Sequence, residues 1–173
     1  KFFRWSPNNY NTDMVSLPNT MPGPSKKQIM ADLRAARAQI AALTAREPIQ
    51  QPSDAARRIH HACRDKPLQE CFVAILMNSR SRVLHVEVCA IGTVSEVSVH
   101  PRDIFRAAVQ FSAHHIVIGH SHPSGDPTPS EADRSLTHRL VAAGEVLGIP
   151  VVDHVIVTSD ICKIYSFAAR GEI

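Results

Sequence analysis

The chain has 173 residues, 44% of them hydrophobic and 20% charged, with a formal charge of +3, a size and balance suited to one globular domain with a modest appendage and too short for two full domains. No run approaches the roughly 18 apolar residues of a membrane span, and the opening KFFRWSPNNYNTDMVSLPNT has basic and aromatic residues but no continuous apolar stretch of a secretory signal. The four cysteines, Cys63, Cys71, Cys89 and Cys162, are irregularly spaced without a CxxC pair, against a disulfide framework or a thiolate metal site; a cytoplasmic protein with reduced thiols and no membrane partner is expected. The unusual count is histidine, at 10 residues, and position must decide whether these imidazoles are scattered or include a metal site.

Residues 1–66 carry eleven basic against five acidic side chains, a surplus of +6, whereas residues 67–173 carry eight against eleven, or −3. Residues 1–24, rich in Asn, Pro and Ser and ending in Met21-Pro22-Gly23-Pro24, read as a tail or linker. Met21 is a candidate original initiator, with the twenty residues before it an addition or a processed remnant. Residues 25–52 then comprise a helix and a Pro-containing linker. Ile29, Leu33, Ala36, Ile40 and Leu43 recur at helical steps, with Arg34, Arg37 and Arg46 between them, which predicts an amphipathic helix. Such a helix either packs on its own domain or, through residues 26–46, forms a short coiled-coil seam to a second copy. Pro48 and Pro52 end it, and Ser53 can cap a second helix to about Arg64.

The main domain is expected over residues 53–173. Cys71 to Met77 and Val83 to Ile91, joined by Asn78-Ser79-Arg80-Ser81, predict a β-hairpin, and Val94 to Val99 a third strand. Pro101 opens a helix through Ser112, followed by the apolar run His115 to His120. After a loop dense in Pro and Gly, Ser130 starts a helix to about Gly148, and strands follow at Val151 to Val157 and Cys162 to Phe167. This order predicts an α/β (α+β) fold in which helices flank one mixed sheet.

The informative stretch runs from His120 to Asp133. Side chains two apart on an extended segment share a side, so His120 and His122 can present both imidazoles to one cation at the end of a buried strand. The Pro/Gly loop then reverses the chain, and Asp133, in the first turn of the next helix, can return its carboxylate to complete the set. Two imidazoles and a carboxylate suit one Zn²⁺ per chain, with the fourth position open to water as in a catalytic site. The competing reading is a capping box, Ser130-x-x-Asp133, in which the aspartate satisfies backbone N–H groups instead. The combination of buried strand, HxH, breaker loop and acid at short spacing favours the metal.

His120-x-His122 with Asp133 and Ser130 resembles the JAMM (MPN+) motif of zinc metalloisopeptidases. The string His122-Pro123-Ser124-Gly125-Asp126-Pro127-Thr128-Pro129-Ser130, with Val99-His100-Pro101-Arg102 upstream and Leu147-Gly148-Ile149 and Asp153-His154 downstream, is similar to the bacterial RadC-like branch. The likeness covers about Ser53 to Tyr165. Ser121 stands where RadC-like proteins commonly have Asn, and the helix-hairpin-helix segment that often precedes such domains is not recognisable in residues 1–52. The resemblance implies a JAB1/MPN (cytidine-deaminase-like) sandwich and a metalloprotease that hydrolyses a peptide or isopeptide bond. It further implies that Glu70, at the start of an early strand, acts as general base and acid, a task a strand-edge carboxylate near the metal can perform, and that Ser130 donates to the oxyanion. Glu87 and Glu96 are rivals to Glu70, better read as solvent-facing strand residues.

The adjacent pairs His60-His61 and His114-His115 should diverge and sit at the surface or at element ends. Asp153-His154 echoes the RadC-like pattern and could support a metal ligand by hydrogen bonding or make a purely structural contact. By family precedent the substrate is an extended peptide or the C-terminal tail of a ubiquitin-like protein added to a sheet edge. Two other readings remain open: a RadC-like DNA-repair or mobile-element protein that binds nucleic acid through the basic front segment, and a non-catalytic scaffold that dimerises through its N-terminal helix.

Overall fold

A computed structural model describes residues 25–44, 47–92 and 99–173 of the chain. The expected tail over residues 1–24, with Met21, lies outside the described residues, as do Glu96 and nearly all of the strand expected from Val94 to Val99. The chain divides into two units, residues 1–38 and 39–173. Helix α1 spans Lys26–Thr44, and on its first part Ile29, Met30 and Leu33 are exposed. Among the described residues no helix is long and apolar enough to cross a membrane.

The larger unit is a mixed sheet of five strands, β1 (Cys71–Met77), β2 (Val83–Ile91), β3 (His115–His122), β4 (Val151–Thr158) and β5 (Ile164–Ser166), in the order β2-β1-β3-β4-β5. Strand β1 is antiparallel to β2 and β3, β3 is parallel to β4, and β4 is antiparallel to β5. All seven residues of β1 are buried, because helices cover both faces of the sheet. On one face α2 (Pro52–Cys63) sets Ala55, Ala56, Ile59 and Cys63 against Val73, Ile75, Val117 and Val155. On the other, α3 (Pro101–Gln110) and α4 (Glu131–Leu147) enclose Phe72, Ala74, Leu76, Ile116 and Ile118 with Ile104, Phe105 and Leu140. Each fully buried Ile, Leu or Phe contributes about 1.5–3 kcal/mol through removal of apolar surface from water. The α+β fold with a mixed sheet between helices agrees with the expectation from the sequence.

Local chemistry sets the element ends. Helix α2 begins two residues earlier than a Ser53 cap requires, with Gln51 at the cap: Pro52 occupies the first turn, where its missing N–H costs nothing, and the Asp54 carboxylate accepts from the backbone N–H groups of Gln50 and Gln51 at 3.0 and 3.1 Å. The β1–β2 turn is held by Asn78 Oδ1, which accepts from the N–H groups of Arg80 and Arg82. The last strand is shorter than the stretch expected from Cys162 to Phe167, because Asp160 Oδ1 accepts from Cys162 N at 3.0 Å and holds the preceding residues in a turn.

One close approach governs the sheet next to the candidate site. A Cβ on Gly119 would lie 2.3 Å from Ile59 Cδ1 and 2.5 Å from the Val155 backbone oxygen, so only glycine lets α2 seat against β3 immediately before His120.

Candidate metal centre

Strand β3 lies between β1 and β4, and its C-terminal end carries His120 and His122 on the face that α4 covers. Period-2 alternation places both imidazoles on that face and turns Ser121 to the other. The loop that follows wraps the second ring: His122 Nδ1 lies 2.7 Å from the Asp126 carbonyl. A carbonyl only accepts, so Nδ1 carries the proton and His122 Nε2 presents a bare lone pair. Gly125, at φ +82°, supplies the left-handed residue of this loop.

Ser130 caps α4, with its Oγ accepting from Asp133 N at 3.2 Å, while its own N–H and hydroxyl donate to Asp133 Oδ2 at 2.8 and 2.6 Å. The capping box and the metal site, rivals in the sequence, therefore coexist: capping uses Oδ2, and Asp133 Oδ1 lies 3.1 Å from His120 Nε2. Burial opposes ionisation of Asp133, but His120 and the two Ser130 donors hold its carboxyl well below the usual carboxylate range. The Nε2 atoms of His120 and His122 are 2.9 Å apart, and Asp133 Oδ2 is 3.8 Å from His122 Nε2. One donor atom from each of the three residues lies within 4.8 Å of the others, the sole such group of three or more among the described residues. Convergent nitrogen lone pairs beside an ionised carboxylate repel one another unless a cation lies between them, so this donor set fits a metal ion.

Glu70 immediately precedes β1. The β1–β3 register pairs Phe72 with His120, and its continuation sets Glu70 opposite His122. Ser121 fixes this position from the other face of β3, since its Oγ accepts from Cys71 N at 3.1 Å and donates to Gln69 O at 3.4 Å, one residue on either side of Glu70. Burial pushes the Glu70 carboxyl above its ordinary value, with Asp133 adding to the rise and the imidazoles of His120 and His122 opposing it. Its rival Glu87 is engaged elsewhere, 2.8 Å from His85 Nε2.

The two residues expected to support the site part company. His154 is fully buried and places Nε2 2.9 Å from His120 Nδ1; burial pushes its value well below the ordinary one and keeps the ring neutral. Asp153 instead accepts from Ser166 Oγ at 2.7 Å and Ala168 N at 3.0 Å, tying β4 to the C-terminal segment. Burial raises its carboxyl above the ordinary value against these donors. Residues next to each other on a strand point to opposite faces, so both could not reach the same centre. Sequence pattern alone does not mark Thr137, one helical turn beyond Asp133 and fully buried, nor Phe72, whose ring stacks on His120 at 5.8 Å and 8°.

The other histidines stay apart from this centre, with one difference from expectation. His114 and His115 do not diverge but meet at 3.2 Å between their Nδ1 atoms, with His115 Nε2 3.2 Å from Ser81 Oγ. His60 and His122 both line a cavity of about 140 Å³, together with Cys63, Arg64, Lys66 and Val157.

Residues 49–172 match the family model described as the RadC-like JAB domain. The chain is 41% identical to a UPF0758 protein of Desulforamulus reducens over 154 residues, covering 87% of this chain and 66% of that one. It is 50% identical to a UPF0758 protein of Symbiobacterium thermophilum over 88 residues, covering 51% and 38%, and 36% identical to one of Thermotoga maritima over 129 residues, covering 73% and 57%. The chain thus spans between 38% and 66% of the length of these bacterial relatives. With a His-His-Asp cluster at the end of the central strand and a family match that covers nearly all of the larger unit, the chain belongs to the RadC-like JAB domain family.

Proposed function

We propose that this domain is a zinc-dependent peptidase or isopeptidase that hydrolyses a peptide or isopeptide bond in an extended substrate, the C-terminal tail of a ubiquitin-like protein being the substrate class implied by the likeness to JAMM enzymes. The observation that carries the proposal is the meeting of His120 Nε2, His122 Nε2 and an ionised Asp133 beside a half-buried glutamate with a raised pKa. Two imidazoles and one carboxylate form a borderline-soft set suited to zinc, and three protein ligands leave a position open.

Zinc held there would supply Lewis acidity toward a carbonyl oxygen and acidify a water. The chain's own residues supply the proton handling and the geometry. Glu70, as a carboxylate, takes a proton from the attacking water and delivers it to the nitrogen of the leaving amine. A value raised above that of an ordinary glutamate suits both halves of this task, because the group must accept the proton and then release it. Ser130 serves first as a helix cap whose hydroxyl points at Asp133; to donate to an oxyanion it must turn that proton away from Oδ2. The cavity beside His122, with Arg64 and Lys66 in its lining, would receive the substrate residue next to the scissile bond and favours an acidic flank.

The test is hydrolysis of extended peptides and of ubiquitin-like fusions by the full chain before and after chelation. Cleavage should cease with chelator and return with one equivalent of zinc; cleavage that persists without metal, or in a His122→Ala variant, would overturn the proposal.

A further inference from the structure

A run of short hydrogen bonds leads from the backbone of one candidate ligand to the ring of another. Thr137 Oγ1 lies 2.6 Å from the Asp133 carbonyl oxygen and 2.6 Å from His154 Nδ1, and His154 Nε2 lies 2.9 Å from His120 Nδ1. The direction of each bond follows from donor inventory alone. The Asp133 carbonyl can only accept, so it receives the single hydroxyl proton of Thr137. His154 Nδ1 must then carry a proton and donate it to the Thr137 oxygen. A neutral imidazole has one N–H, and His154 has no exposed surface, so its Nε2 is bare and accepts from His120 Nδ1. His120 thereby spends its Nδ1 proton on His154 and offers Nε2, the atom that faces His122 and Asp133, as its metal-binding nitrogen.

We propose that Thr137 and His154 are positioning residues of the metal centre: they hold the Nδ1 proton of His120, so that Nε2 is its metal-binding nitrogen, and link two of the three ligands, His120 and Asp133, through one run of hydrogen bonds. The proposal rests on the reading of His120, His122 and Asp133 as a cation site. The ring planes are held as such a role requires, with Phe72 stacked on His120 at 8° and Phe167 stacked on His154 at 4.9 Å and 9°. The sequence spacing fits as well, because Thr137 is four residues beyond Asp133 on α4 and so lies on the same helix face one turn further on.

The arrangement makes a specific consequence of losing one hydroxyl. With Thr137→Val, a substitution of nearly equal volume, His154 Nδ1 has no acceptor and its proton shifts toward Nε2. There it would meet the N–H of His120, which must move its own proton to Nε2 or turn aside, and either change removes a lone pair from the cation site. A core histidine that merely fills space would show no such propagation.

The experiment uses the full chain in three forms: wild type, Thr137→Val and Thr137→Ser. Imidazole ¹⁵N NMR of the metal-free protein should show His154 protonated on Nδ1 alone and His120 protonated on Nδ1 in wild type and in Thr137→Ser, and a shift of the His154 proton toward Nε2 in Thr137→Val. Chelator competition should show zinc bound about 10–100-fold more weakly by Thr137→Val, the loss typical of removing a partner behind a ligating histidine, with Thr137→Ser near wild type. A wild-type His154 protonated on Nε2 overturns the proposal without recourse to any variant, as does a folded Thr137→Val protein with unchanged zinc affinity. Wild-type protein that has the expected tautomers yet takes up no zinc overturns the metal reading, and the proposal with it.

Discussion

His120 Nε2 and His122 Nε2 lie 2.9 Å apart at the end of β3, with Asp133 Oδ1 3.1 Å from the first of them. His122 has its only proton committed to the Asp126 carbonyl, so its Nε2 points a lone pair at its neighbour. Such a contact is repulsive unless a positive guest occupies the space between. A metal ion and a proton compete for that space, since both bind the same lone pairs. Asp133, held ionised well below the usual carboxylate range, is already prepared for either guest.

Replacement of Glu70 separates metal binding from proton transfer. Glu70→Gln keeps the shape of the side chain but cannot exchange protons, and it is expected to lower kcat/KM by about 10²–10⁴ while the bound zinc is retained. Because the folded-state value of Glu70 is raised and the ionised form is the base, activity is full above that value and declines as pH falls through it. The acid limb should therefore lie at a higher pH than an ordinary glutamate gives. A pH profile checks this directly, and a Glu70→Gln enzyme within tenfold of wild type would contradict the assignment.

Ser130 has a structural duty that can be measured whatever its part in hydrolysis. Ser130→Ala removes the α4 cap and should cost about 1 kcal/mol in urea unfolding of the metal-free protein at neutral pH. It also removes a hydroxyl donor that helps to keep Asp133 ionised. The folded-state value of Asp133 is depressed, so its stabilising contribution is complete above the ordinary carboxylate range and disappears as pH falls through the depressed value. Acid unfolding of Ser130→Ala should accordingly begin at a higher pH than in wild type; coincident acid transitions would show that the bond is of no consequence.

Much of the candidate site was legible in the sequence because it obeys local periodicities. HxH on an apolar strand puts two rings on one face, and a Pro/Gly loop brings the next helix start back toward them. The hairpin and α3 before it and α4 after it follow from equally local patterns. Thr137 and Phe72 were not legible, since their roles depend on how α4 and β1 pack against β3 and β4, which no short window reveals. The pair Asp153-His154 shows the limit of a motif read as a unit: alternation along β4 sends the histidine to the candidate centre and the aspartate to Ser166 and Ala168. The start of α2 was displaced by Pro52 and Asp54, which together provide better cap chemistry than Ser53.

Gly119 tests the link between packing and site geometry. A methyl group there would press on both Ile59 Cδ1 and the Val155 backbone oxygen, and only the first of these can yield. Gly119→Ala should therefore destabilise the domain by about 1–3 kcal/mol and weaken zinc binding through the adjacent His120. Adding Ile59→Val should recover part of the stability and no more, because the contact with Val155 persists. Full recovery in the double variant, read from denaturant midpoints, would show that the backbone contact imposes no constraint.

Zinc stoichiometry is the most direct measurement of the central claim. Metal-free full chain dialysed against zinc and analysed for metal and protein should hold one zinc per chain, with His122→Ala and Asp133→Ala each losing the high-affinity ion. A folded wild-type protein that retains no zinc, or variants that retain it as tightly as wild type, would contradict the assignment of His120, His122 and Asp133 as a metal centre.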